Sequence, residues 1–332
     1  MSSEPYTTKG LPTPPTVSVK TVPMGGLLVD VYGLEELPAG PSPVTCLWLL
    51  HPRMRTRARM QDIASRVIDA YNNRMAESSA SPPRGLVALA FDMPNHGTRL
   101  VSEQANKAWN QGNELHAIDM VAGIKGARND MSGLMDVVGG YLDRKVDEHV
   151  CLGWSLGGHA VWQAWLAERR LHAAVAIVGC PDFIGLMRDR AKTSDLDIPE
   201  GQTFLGSKYF PDDLAATCAR YDPRGVIFGA QESHLPEAPL SDAERERVRS
   251  ILAERGCTSN RRLLLCSGAD DKLVPYTNSA PFVKLLQDVG GVPVQDKVYE
   301  GVGHAFSADM VQDAVEFLVD AVSRGNTEKS KI

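Results

Sequence analysis

Short, nearly unbroken apolar runs alternate along this chain with longer stretches in which apolar residues return every three or four positions. Residues 44–50, 85–91, 149–153, 173–179, 262–267 and 292–299 read as strands. Residues 59–76 carry helical spacing, with Ile63, Val67, Ile68 and Tyr71 on one side. The same spacing predicts helices over 113–142, broken or kinked near Gly123 and Gly126, and over 156–169, 278–289 and 307–323. Two runs at 17–22 and 27–31 predict an antiparallel hairpin turning near Met24-Gly25-Gly26. Strands that are apolar on both faces and separated by helices define an α/β protein. Its sheet should be doubly wound and mostly parallel, with helices on both sides. Ligands in such sheets gather at the carboxyl ends of the strands.

Residues 181–260 break the alternation, because about eighty positions are more than an ordinary connection needs. The segment is expected to be an inserted cap, dividing the core into residues 16–180 and 261–323. It holds a capping box, Ser241 with Glu244, and a helix stop at Gly256. Its Phe183, Ile184, Met187, Phe204, Leu205, Tyr209, Phe210 and Phe228 could serve either as an apolar substrate pocket or as the cap's own core. Residues 1–15, with Pro5, Pro12, Pro14 and Pro15, are expected to be extended and loosely held, and 324–332 to form a flexible tail.

Composition narrows the function. The chain has 332 residues, 43% hydrophobic and 23% charged, with a net charge of −6. This fits a folded protein and gives no general attraction to nucleic acid or anionic membrane. No apolar run is long enough to span a bilayer, and the start lacks the features of a secretion signal. Cys46, Cys151 and Cys266 lie in apolar strand runs, and none of the six cysteines has metal or redox spacing, so reduced thiols in a cytoplasmic protein are expected. The terminal Ser330-Lys331-Ile332 differs by one residue from a peroxisomal address, which leaves that compartment open.

The strongest chemical signal is Gly153-Trp154-Ser155-Leu156-Gly157, a G-x-S-x-G sequence between a strand and a helix. A nucleophile on so tight a turn needs glycines beside it, and the helix start supplies N–H groups for developing negative charge. Serine also needs a base. His304 follows the last predicted strand in Gly301-Val302-Gly303-His304; His51 and His96 also follow strands, His159 lies in the helix behind the serine, and the other four have no motif context. The base needs an orienting acid. Asp270 and Asp271 follow the strand that ends at Gly268, and Asp182 is a rival after Cys180-Pro181; spacing alone does not choose among them.

These residues resemble an α/β-hydrolase-fold serine hydrolase, in the chain order serine, acid, histidine. The resemblance covers residues 44–320 and rests on the serine turn, on Gly268-Ala269-Asp270-Asp271-Lys272-Leu273-Val274-Pro275 and on Gly303-His304. It implies Asp271 as the acid, and an oxyanion hole from the N–H of Leu156 and an N–H after the third strand. There Leu50-His51-Pro52-Arg53 has proline where relatives have glycine, so the second donor would be Arg53 or Met54. His51 and Trp154 are carried as substrate contacts. Asp92-Met93-Pro94-Asn95-His96-Gly97-Thr98-Arg99 resembles a loop variant in which Asp92, His96 and Arg99 hold the loop. The loop, the cap and the terminal tripeptide together resemble cap-bearing hydrolases of fungal secondary metabolism. The implied activity is an esterase or thioesterase acting on a small acyl substrate. The alternatives are an acyltransferase or lactone-forming cyclase of the same fold, and a non-catalytic binder. No metal or organic cofactor is expected, since neither a dinucleotide fingerprint nor a Walker loop is present.

Overall fold

A computed structural model describes residues 6–77, 84–230, 235–236, 239–257 and 259–324. The terminal tripeptide lies outside the described residues. One eight-stranded sheet is formed by β1 (Val19–Met24), β2 (Leu27–Tyr32), β3 (Val44–Leu50), β4 (Gly85–Phe91), β5 (Val146–Trp154), β6 (Leu171–Ile177), β7 (Arg262–Gly268) and β8 (Val294–Tyr299). Its order is β1-β2-β4-β3-β5-β6-β7-β8. β1 and β2 form the expected hairpin, and β2 pairs antiparallel with β4; every later pairing is parallel.

Every residue of β3 and β4 is buried, which explains why both runs are apolar apart from Thr45. Alternation along β3 divides the core. Cys46, Trp48 and Leu50 join one apolar layer, and Leu47 and Leu49 join the other. The second layer is closed by α1 (Gln61–Ala76) and α9 (Ala308–Arg324). The first layer is closed by α2 (His116–Leu142), α3 (Leu156–Ala167) and α8 (Ala280–Val289), joined by the 181–260 segment. That segment contains α4 (Phe183–Lys192), α5 (Asp212–Tyr221), α6 (Pro223–Phe228) and α7 (Asp242–Glu254). Phe183, Ile184, Met187, Tyr209 and Phe210 are core residues, and Phe204, Leu205 and Phe228 pack against them. Half of the capping box forms: the Glu244 N–H donates to Ser241 Oγ, while the Glu244 carboxylate takes Arg247.

Two expectations are corrected. α2 runs unbroken through Gly123 and Gly126. Gly126 serves packing, since a Cβ there would stand 2.7 Å from Pro94 Cγ. The described part of the proline-rich start turns at Lys9-Gly10, where Leu11 N–H donates to the Thr8 carbonyl at 3.1 Å, and it is not loose at Thr8, which is buried and donates its N–H and hydroxyl to Asp62 on α1. Arg66 holds the same carboxylate at 2.9 Å and also donates to the Pro12 carbonyl. All six cysteines are free and buried.

Candidate active site

Ser155 stands between β5 and α3 with φ 55° and ψ −111°. Positive φ at a non-glycine residue is strained backbone, held here by its surroundings. The glycines leave no alternative residue. A Cβ on Gly153 would fall 2.1 Å from the Gly157 carbonyl oxygen, and one on Gly157 would fall 2.1 Å from that of Leu50. The Ser155 N–H donates to the Ile177 carbonyl at 2.8 Å, which ties the turn to β6. Leu156 opens α3, so its N–H has no carbonyl within the helix.

His304 reaches Ser155 from the loop between β8 and α9. Ser155 Oγ lies 2.8 Å from His304 Nε2, and His304 Nδ1 lies 2.7 Å from Asp271 Oδ2. An ionised carboxylate only accepts, so Nδ1 carries the proton and Nε2 is left to accept from the serine. Asp271 is buried, and its other oxygen accepts from the N–H groups of Leu273 and Val274 at 2.8 and 2.9 Å. The acid and histidine loops are fastened together by Asp270 N–H on the Val302 carbonyl at 2.9 Å.

The rival acids are elsewhere. The Asp270 side chain is exposed. Asp182 caps α4 by accepting from Gly185 N–H at 2.8 Å, and it pairs with Arg224 at 3.2 Å. Burial raises its carboxyl above the ordinary value.

The β3 loop corrects one assignment. His51 is fully buried and does not line the cavity in front of Ser155. Its Nδ1 donates to the Pro52 carbonyl and its Nε2 accepts from Met93 N–H, both at 2.9 Å. Burial pulls its pKa down to about 4, so it is a neutral brace between two loops and not a substrate contact. No backbone carbonyl among the described residues takes the N–H of Arg53 or Met54. Met54 has φ 60°, a second strained position beside the serine.

The β4 loop is held by Asp92, which accepts from the N–H groups of Arg57 and Thr98 and from the Thr98 hydroxyl, all at 2.9 Å. Burial pushes this carboxyl up, but these donors outweigh it and keep the pKa below the ordinary value. Gly97 is required there, because a Cβ would meet the Asp92 carboxyl carbon at 2.3 Å. Arg99 donates to the Asp92 carbonyl, and His96 Nδ1 to that of Pro94.

A cavity of about 820 Å³ opens in front of Ser155 and His304. Trp154 lines it although only 8% exposed, with Phe306 edge-on at 5.7 Å. No described residue of 181–260 lines it. Tyr6 and Lys9 do, so the N-terminal segment forms a wall that the sequence did not disclose. Long-range contacts bring it there, Thr8 on Asp62, Tyr6 on Arg59 and Pro12 on Arg66, and no local pattern signals them. A second unforeseen residue is Arg190 on α4. Its guanidinium donates to the Leu273 carbonyl at 2.8 Å, bracing the acid loop, and burial lowers its pKa to about 10.

Sheet order, the serine on a strand-to-helix turn and the histidine loop after the last strand define the α/β-hydrolase fold. The profile of the alpha/beta hydrolase family matches residues 27–321, and the chain belongs to that family. Among solved structures it is similar to TT1662 from Thermus thermophilus, with a TM-score of 0.56 and 16% identity over 92% of this chain and 98% of that one. It is similar to an arylesterase, with a TM-score of 0.52 and 16% identity over 94% and 87%. It is also similar to a prolyl endopeptidase, with a TM-score of 0.53 and 17% identity over 93% of this chain but 38% of that one. At these identities the likeness speaks to the fold. No curated protein sequence matches it significantly. Membership of the family supports hydrolase activity.

Proposed function

We propose that this protein is a serine hydrolase that cleaves a carboxylic ester or thioester of a small acyl substrate through an acyl-enzyme on Ser155. The observation that carries the reading is the relay from Ser155 Oγ through His304 to Asp271, with contacts of 2.8 and 2.7 Å. In this mechanism His304 Nε2 takes the serine proton as Oγ attacks the carbonyl carbon. Asp271 keeps the ring in the accepting tautomer and stabilises the imidazolium that forms. The N–H of Leu156, with that of Arg53 or Met54, receives the oxyanion. Removing one such donor typically costs about a hundred- to a thousandfold in rate. The leaving alcohol or thiol takes the proton from His304. Water then gives its proton to the same nitrogen as it attacks the acyl-enzyme, releasing the acid and free serine.

The test is a panel of short and long acyl esters and acyl thioesters, offered to the wild type and to Ser155→Ala, with products identified by mass. Hydrolysis by the wild type and its loss in the variant are expected. Acyl transfer to an added alcohol or amine without free acid would replace hydrolysis by transferase chemistry. Equal rates in the two proteins would overturn the reading.

A further inference from the structure

The cavity in front of Ser155 has a cationic lining. Lys9, Arg53, Arg55 and Arg59 line it, and no aspartate or glutamate among the described residues does so. The whole chain carries a net charge of −6, so this concentration of positive charge is local. Neighbouring arginines that do not line the cavity are ion-paired. Arg57 pairs with Asp30 at 3.0 Å and Asp92 at 2.6 Å, and Arg66 pairs with Asp62 at 2.9 Å. Arg53, Arg55 and Arg59 have no ion-pair partner among the described residues.

Two of these arginines are held in place. The Arg59 guanidinium carbon lies 3.1 Å from the centre of the Tyr6 ring and 4.9 Å from that of Trp154. Stacking occupies the faces of the guanidinium and leaves its edge to donate. Arg59 Nε is buried with no hydrogen-bond partner among the described residues. Arg53 is fixed through Nη1 on the Asn106 carbonyl at 2.6 Å, and no other hydrogen bond of its guanidinium is made among the described residues. It also lines a smaller cavity of about 180 Å³, shared with Leu156, and so stands beside the first turn of α3. Burial lowers the pKa of both arginines, and an anion beside them would offset that desolvation.

We propose that Lys9, Arg53, Arg55 and Arg59 recognise an anionic oxygen group, carboxylate or phosphate, on the acyl substrate whose carbonyl is presented to Ser155. The inference rests on the serine-hydrolase reading and adds the substrate class. An arginine fork matches two oxygens of either group, and a cleft lined by one sign of charge concentrates such substrates at its mouth.

The test is the rate at which Ser155 is labelled by three fluorophosphonates that share one alkyl chain and end in a methyl ester, a carboxylate or a phosphate monoester. At low salt an anionic tail is expected to label at least about tenfold faster than the neutral one, with the advantage shrinking as salt is added. The faster of the two anionic probes identifies the group. Arg59→Met and Arg55→Gln should each move the anionic-to-neutral ratio toward one. Equal labelling by all three probes would overturn the anion site and leave the nucleophile standing. Absence of labelling by any of them in folded protein would overturn both.

Discussion

Replacing Asp271 by asparagine tests the relay at its least exposed point. Asp271 Oδ1 accepts from two backbone N–H groups, those of Leu273 and Val274, at 2.8 and 2.9 Å. An asparagine must keep its carbonyl oxygen there, since turning the amide would set its NH₂ against two donors. The NH₂ then occupies the Oδ2 position, 2.7 Å from His304 Nδ1. Facing a donor, Nδ1 must accept, so the proton moves to Nε2, where it meets Ser155 Oγ at 2.8 Å. The base is then in the wrong tautomer to take the serine proton. Such a change lowers kcat by about ten-thousandfold, or ~5 kcal/mol in the barrier at about 1.36 kcal/mol per decade. The assay is kcat/KM on a 4-nitrophenyl ester, beside thermal unfolding to show that the loop is intact. Asp270→Asn and Asp182→Asn are the controls. The first is an exposed side chain; the second pairs with Arg224 and caps α4, a bond that an asparagine oxygen can still accept, and the His304 contact belongs to Asp271, so both should stay within about twofold of wild-type activity. An Asp271→Asn enzyme with more than a tenth of wild-type activity would refute the reasoning.

Other outcomes follow from packing and charge. Burial pushes the Glu168 carboxyl up, but Arg170 and the Ser132 hydroxyl outweigh it and lower the pKa from 4.5 to about 2. Because the folded value is depressed, the stabilisation is fully present above 4.5 and is lost as pH falls through about 2. Arg170 is partly exposed, so Glu168→Gln should cost only about 1–2 kcal/mol at neutral pH. Urea unfolding should show that difference narrowing below pH 4.5, and a constant difference would contradict the assignment. On α2, a Cβ at Gly133 meets nothing within 4 Å, so Gly133→Ala should raise stability by about 0.5–1 kcal/mol. Gly126→Ala drives a methyl into Pro94 and should lower stability by about 1–3 kcal/mol. Thermal unfolding that ranked the two variants the other way would refute the packing argument.

The strand runs were legible because a strand buried on both faces must be mostly apolar, and β3, with Thr45 its one polar residue, and β4 are. The serine turn was legible because its glycines are forced by backbone carbonyls within 2.1 Å of any added Cβ. Ser155 and His304, 149 positions apart, could be paired because each follows a strand end in a parallel sheet. His51 was misread for the same reason: it also follows a strand, but Met93 N–H takes its Nε2, and nothing local announces that bond. Gly126 was read as a helix break, since its partner Pro94 lies 32 positions back in the chain. Tyr6, Arg59 and Arg190 act through contacts that are long-range and aperiodic, and such contacts leave no pattern to read.

The most direct measurement is the covalent state of Ser155 during turnover. Acid quenching within milliseconds of mixing with a 4-nitrophenyl ester, then intact mass and peptide mapping, should find one acyl group on the peptide that carries Ser155 and none on Ser155→Ala. An acyl group mapped to any other residue, or turnover by Ser155→Ala at the wild-type rate, would contradict the proposed acyl-enzyme.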